Sequence, residues 1–204
     1  MRMNQKGHHM MNDQIKIRLV QPGDAPALVA IYAPYVLHTA VTFEYEVPTA
    51  EEFAGRIRKV LTRFPYLVAE VAGEIAGYAY AAPYGERKAF DWTVETSIYI
   101  KEDKKGLGLG RMLYSALEDI LKQQNVLNLI ARIAYPEPED EYLTVDSVRF
   151  HEHLGYALVG TAHRCGYKFD HWYHMVWMEK HLGPHLSGHP AVIPFSEIRG
   201  QLEW

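Results

Sequence analysis

One stretch, KKGLGLGRMLYSAL from Lys104 to Leu117, limits what this chain can fold into more than any other. Glycines at 106, 108 and 110 alternate with leucines, and Met112, Leu113, Ala116, Leu117, Ile120 and Leu121 then recur with the 3.6-residue period of an amphipathic helix. A helix N-terminus leaves backbone N–H groups without intrahelical partners and carries partial positive charge, so anions settle there. Glycine lets the backbone approach a phosphate closely, and Lys104, Lys105 and Arg111 add full charges. The same residues also read as a softened helix start, and the loop alone does not decide between the two. Three phosphate loops are excluded. The spacing is G-x-G-x-G rather than the G-x-G-x-x-G of dinucleotide folds, no Gly-Lys-Ser/Thr closes a P-loop, and kinase H-R-D and D-F-G partners are missing.

The rest of the chain alternates strand and helix signals. Ile15 to Val20 alternates apolar and charged residues and predicts a strand. Asp24 is expected to cap a helix from Ala25 to Ala33, interrupted near Pro34. Thr49 and Glu52 fit a capping box for a helix whose Phe53, Ile57, Val60, Leu61 and Phe64 share a face. YLVAEVAGEIAGYAYAAPY predicts a hairpin turning at Ala72-Gly73-Glu74, and Trp92 to Ile100 another strand. After the glycine loop and its helix come a strand at Leu127–Ala134, an acidic loop, a helix from Val145 to Leu154 that Gly155 ends, and strands near Tyr156–Gly160 and Trp172–Glu179. The order predicts one mixed α/β domain, spanning residues 15–182. Residues 1–14 are polar and read as a flexible tail, and the Pro- and Gly-rich residues 183–204 as an extension packed on the domain or at an interface.

Composition removes several function classes. The single cysteine, Cys165, permits neither an intrachain disulfide nor a cysteine-based zinc site. His181, His185 and His189 are four residues apart, but Gly183, Pro184 and Gly188 argue against the helix that would align them, so no metal is expected. A net charge of -4 gives no general pull toward nucleic acid, and no apolar run is long enough to cross a membrane. A cytoplasmic protein is expected.

The glycine loop between a central strand and a long helix resembles the GNAT superfamily of acetyl-coenzyme A-dependent N-acetyltransferases. Its Gln/Arg-x-x-Gly-x-Gly/Ala signature corresponds to Lys105, Gly106-Leu107, Gly108, Leu109 and Gly110, with Lys in the first slot as a departure. DWTVETSIYI, SVRFHEHLGY and CGYKFDHWYHMVWMEK are similar to the branch containing phosphinothricin and methionine sulfone or sulfoximine acetyltransferases. The resemblance implies a mostly antiparallel central sheet flanked by helices, and acetyl-CoA as the acyl donor. The loop amides through Arg111 would hold the pyrophosphate, and the backbone of Ser97, Ile98, Tyr99 and Ile100 the pantetheine arm. It also implies a small-molecule amine as acceptor and a homodimer.

By the same resemblance Glu95 is the general base that takes the proton of the acceptor ammonium. From the strand alone, a Glu that simply faces solvent is the slightly better reading. His151 occupies the slot of the usual acid Tyr, before Gly155-Tyr156, either protonating the departing thiolate or helping to remove the amine proton. Backbone donors for the oxyanion are expected from a bulge near Ile98 and Tyr99. Phe43, Arg87 and Phe90 are the implied acceptor contacts, with Tyr84, Trp92, Tyr167 and Trp172 completing an aromatic wall. Gly85 stands where the phosphinothricin enzymes carry Lys, which predicts weak activity on that acceptor. Thr144, three residues before Ser147, replaces a cofactor-binding Asn, and the acidic PEPEDEY insertion precedes it. Two further readings are a protein or peptide N-acetyltransferase and a catalytically inactive acyl-CoA-binding module.

Overall fold

The computed structural model describes residues 15–202, so the tail reading for residues 1–14 lies outside the described residues. Seven strands form one sheet in the order β1-β2-β3-β4-β5-β7-β6. They are β1 (Ile15–Leu19), β2 (Tyr66–Val71), β3 (Glu74–Pro83), β4 (Thr93–Ile100), β5 (Asn128–Tyr135), β6 (Ala157–Lys168) and β7 (His171–His181). Every neighbouring pair is antiparallel except β4 and β5, which the helix α3 (Leu109–Gln123) connects as a parallel crossover. The remaining helices are α1 (Ala25–His38), α2 (Ala50–Leu61), α4 (Asp146–His153) and the single turn α5 (Phe195–Ile198). Among the described residues no helix is long and apolar enough to cross a membrane.

The sheet separates two cores. On one face Leu109, Leu113, Leu117 and Leu121 of α3 pack on Val94, Ala131, Val176 and Met178. On the other, Leu28, Ile31 and Tyr32 of α1 and Phe53 and Ile57 of α2 pack on Tyr66, Val68 and Tyr78. The capping box forms as read, with Thr49 Oγ1 accepting from Glu52 N and Glu52 Oε2 accepting from Thr49 N. The first hairpin turns on Ala72 and Gly73, both at positive φ.

Three local expectations change. α1 runs through Pro34 to His38, because buried Ile31 and Tyr32 before the proline and Val36 after it hold the segment against the sheet. Tyr35 adds a hydrogen bond to the Ile100 carbonyl (2.6 Å), offsetting the missing proline N–H. Asp24 sits at the helix start without capping it; its carboxylate is taken by Arg18 and by Gln21 N. β6 continues to Lys168, well past Gly160, because β7 pairs with it along most of its length.

The C-terminal segment lies against the same core. Gln124, fully buried, donates to the carbonyls of Arg63 and Ile193 at 2.7 Å each, and Phe195 and Ile198 are buried.

Candidate active site

The cleft arises where the parallel pair comes apart. β4 and β5 match over Thr93↔Asn128, Val94↔Leu129 and Glu95↔Ile130, and beyond that pair the two strands no longer hydrogen-bond. Between them opens a cleft with ≈ 460 Å³ of empty space, open solvent included. Side chains alternate across a strand, so the gap is walled from both sides of the sheet. Thr96, Ile98, Tyr114 and His151 contribute from the α3 side, and Ser97, Tyr99, Arg132 and Ala134 from the α1 side.

The bulge expected near Ile98 and Tyr99 is absent. β3 pairs with β4 in unbroken register from Pro83↔Val94 to Gly77↔Ile100. The donors reach the cleft by another route, because β4 has lost its second neighbour. Lys101 N donates to Ala76 O on β3, so strand alternation turns the N–H of Ile98 and of Ile100 to the opposite, free edge. Ser97, Ile98 and Tyr99 line the cavity, whereas Ile100 does not, and its carbonyl is held by Tyr35.

At the end of β4 a 3₁₀ turn (Glu102–Lys104) leads into the glycine loop. The leucines anchor it, with Leu109 buried and Leu107 packed on the core. Gly106 and Gly108 both have φ +80, and a Cβ on either would meet nothing within 4 Å, so open space lies in front of them. Gly108 is the N-cap of α3 and no side chain caps the helix, leaving its first N–H groups free. Lys105 stands over the Tyr35 ring at 5.3 Å. This uncapped, open terminus with basic neighbours fits a pyrophosphate. Gly110 is needed for another reason. A Cβ there would lie 2.8 Å from the Phe150 ring, so its smallness seats α4 on α3. α4 brings Ser147 and His151 to the cavity, whereas Thr144 is exposed and its hydroxyl accepts from Asp146 N.

His151 is 3% exposed. Its Nδ1 lies 2.7 Å from the Ser147 carbonyl, which can only accept, so Nδ1 carries the proton and Nε2 offers a lone pair to the Tyr114 hydroxyl at 3.0 Å. Burial pushes the imidazole below its ordinary pKa, against the raising effect of the Ser147 carbonyl. Tyr114 also meets Thr96 Oγ1 at 3.3 Å, and Thr96 meets the Tyr156 hydroxyl at 3.2 Å, forming a buried polar chain. Burial raises the Tyr114 hydroxyl well above its usual value.

Glu95 lies on the other side of the sheet from this chain. It is partly buried, and its Oε2 is 2.7 Å from Arg132 Nη2. Phe43 sits beyond it, in the loop after α1, stacked on Tyr173 and pressed onto Gly166, where a Cβ would lie 2.2 Å from the ring. The same loop is pinned by buried Lys168, whose Nζ donates to the carbonyls of Thr39 and Thr42 at 2.8 Å each, and by Tyr45, whose hydroxyl donates to the Tyr167 carbonyl. Val41 from this loop and Leu143 from the end of the acidic insertion complete the wall.

None of the sequence-derived acceptor contacts lines this cavity, Phe43 included. Tyr84 and Phe90 pack edge-to-face on the loop between β3 and β4, and Arg87 is exposed there. A side chain at Gly85 would strike Phe90 at 2.9 Å, so that loop's packing requires the glycine. Trp92 is turned to the C-terminal segment, donating to the Pro190 carbonyl at 2.7 Å. Tyr167 and Trp172 pack on each other and are exposed at 42% and 61%. Among the described residues no group of His, Cys, Asp or Glu is arranged to hold a metal ion. Arg132 and Tyr114 are among the wall residues that escaped the sequence reading. Arg132 had a signal, a lone charge inside the apolar strand LNLIARIA, whereas Tyr114 sits in the apolar stripe of α3 and had none.

The fold and the split between β4 and β5 define an acetyltransferase: the chain matches the acetyltransferase (GNAT) domain family over residues 17–177 and belongs to it. It is 36% identical over 159 residues to the phosphinothricin N-acetyltransferase of Streptomyces viridochromogenes, covering 78% of this chain and 83% of that one. It is 31% identical over 175 residues to the L-methionine sulfoximine/L-methionine sulfone acetyltransferase of Salmonella typhimurium, covering 84% and 96%. The structure of the phosphinothricin acetyltransferase from Sinorhizobium meliloti in complex with AcCoA superposes with a TM-score of 0.77 at 28% identity, covering 90% of this chain and 97% of that one. These relatives are of the branch whose motifs the sequence resembles.

Proposed function

We propose that this enzyme transfers the acetyl group of acetyl-CoA to the primary amine of a small amino-acid-like acceptor of the methionine sulfone, sulfoximine or phosphinothricin type. The observation that carries this is the cleft through the sheet, with a carboxylate, Glu95, on one face and a buried neutral imidazole, His151, on the other. When bound, acetyl-CoA supplies the activated thioester. Gly106, Gly108 and the free amides of α3, with Lys105 and Arg111 beside them, would hold its pyrophosphate, and the free edge of β4 would meet its arm.

Glu95 takes the proton that keeps the acceptor an ammonium, directly or through water. The freed amine nitrogen forms the new C–N bond as the C–S bond breaks, and the Ile98 amide faces the developing oxyanion. A neutral His151 has only its Nε2 lone pair to offer, so of its two readings the structure supports proton acceptance. The second amine proton passes to the Tyr114 oxygen as Tyr114 gives its own proton to His151 Nε2, and the same pair returns a proton through Tyr114 to the departing sulfur. Homodimerisation belongs to the same proposal. β6 is an edge strand with Leu158 and Val159 exposed, and a solution mass of a single chain would remove it.

The test is thiol release from acetyl-CoA with methionine sulfone, methionine sulfoximine, phosphinothricin, a polyamine and a basic peptide. Turnover of the first two, with phosphinothricin weaker, is expected. Activity confined to the polyamine or the peptide would overturn the acceptor class.

A further inference from the structure

We infer that Arg132 and Glu95 together form a receptor for a zwitterion, in which Arg132 binds the α-carboxylate of the acceptor while Glu95 receives its α-ammonium. The inference rests on the reading of the protein as an acetyltransferase of amino-acid-like amines, and it assigns the residue that makes the acceptor an α-amino acid rather than any primary amine.

Position comes first. Glu95 pairs with Ile130 in the last rung of the parallel ladder, so Arg132, two residues on, projects to the same face as Glu95, just past the point where the strands part. Its neighbours Ala131 and Ile133 turn to the opposite core. A charged residue on a central strand is costly to bury unless it is paired or wet, and Arg132 is both. It pairs with Glu95 at 2.7 Å, yet its side chain remains 47% exposed against 20% for Glu95.

Donor count comes next. A guanidinium offers five N–H donors in a rigid fork. Among the described residues, Glu95 is the one protein group within ion-pair or hydrogen-bond distance of Arg132. The unused donors belong to a side chain that lines the cavity. The remainder of the wall is apolar or neutral, from Val41, Ala134 and Leu143 to Ser97, which leaves Arg132 as its cationic group. A planar fork is matched to a carboxylate, which it can hold through two parallel bonds.

The geometry of the ligand matches. In an α-amino acid the ammonium and the carboxylate sit on one carbon, as close together as the two charges of the Glu95–Arg132 pair. Laid against that pair with opposite polarity, each substrate charge meets its complement, and neither protein charge is left desolvated and alone. A simple amine satisfies Glu95 and leaves Arg132 without a ligand. The site therefore selects for a free carboxylate next to the amine. Arg87, exposed on its loop and not lining the cavity, lacks this position.

The experiment compares methionine sulfone with its α-carboxamide and its decarboxylated amine, in the full-length protein and in Arg132→Gln and Arg132→Lys, reading KM and kcat separately. Coenzyme A affinity by calorimetry serves as the check on folding. The wild type is expected to favour the free acid. Arg132→Gln should raise KM for the acid about 10- to 100-fold, the loss of a charge-assisted contact, and barely change KM for the amide and the amine. Arg132→Lys, keeping the charge without the fork, should fall between. An equal change for all three acceptors would show a merely structural ion pair and overturn the inference while leaving the acetyltransferase reading intact. A wild type that acetylates none of the three would overturn the reading and the inference together.

Discussion

Glu95 and His151, the two groups proposed to handle protons, stand on opposite faces of one sheet, in opposite surroundings. His151 is enclosed by Phe150, Tyr114 and Tyr156 rings and linked through Tyr114 to Thr96, with one nitrogen tied to a backbone carbonyl. Glu95 is partly buried on the other face, paired with a half-exposed arginine. The dry side fixes a tautomer and a protonation state, because a buried charge without a partner is expensive and the imidazole stays neutral. The wet side keeps charges that a substrate can rearrange. The proposed reaction, which strips a proton from a solvated ammonium and returns one to a departing thiolate, would use both environments, and the separation of two strands opens a cavity lined by His151 on one side and by Arg132, the ion-pair partner of Glu95, on the other.

The largest effect that would break this comparison lies at Glu95. Glu95→Gln should lower kcat on the order of 10²–10⁴-fold while coenzyme A affinity is retained, measured by steady-state kinetics and calorimetry. Unchanged kcat at saturating acceptor would remove the carboxylate from the chemistry. A smaller effect is expected at Gly166. The added methyl of Gly166→Ala would lie 2.2 Å from the Phe43 ring and must displace it, at about 1–3 kcal/mol of overpacking. The acceptor KM should rise about tenfold with coenzyme A binding unchanged; a matching loss of coenzyme A affinity would mean that the two mouths are not independent.

The smallest effect concerns the dry side. His151 has a folded pKa below its unfolded value near 6.5, so between the two the unfolded chain binds the extra proton. The stability associated with the neutral imidazole is fully present above about pH 6.5 and is lost as pH falls toward the folded value. Thermal melts at pH 7.5 and 5.5 should therefore show a larger drop in stability for the wild type than for His151→Gln. Equal drops would mean that His151 is not held neutral by its surroundings.

Features carried by neighbours in the chain were readable in advance. The capping box at Thr49 and Glu52, the turn at Ala72-Gly73 and the left-handed Gly155 after α4 need only a few consecutive residues, and they form as read. The glycine loop belongs with them, since its helix terminus and its open glycines are local geometry. Even there one residue differed: Gly110 is small because Phe150, forty residues away in sequence, packs on it. Where tertiary contacts compete with local preference, the local reading failed, as at Pro34, which α1 passes because residues on both sides are buried.

By itself, then, the sequence determined the strand and helix order and the glycine-opened start of α3, because periodicity and spacing are properties of the chain, while the reading of Glu95 and His151 came from resemblance to family motifs. Only the tertiary structure decided that the β4–β5 ladder ends at Glu95 and Ile130, which opens the cleft and sets Arg132 against Glu95. It alone set Tyr114 on His151, and Lys168 on the carbonyls of Thr39 and Thr42 more than a hundred residues away. These pairings join segments whose separation carries no local signal, and they exist only once seven strands have found their register.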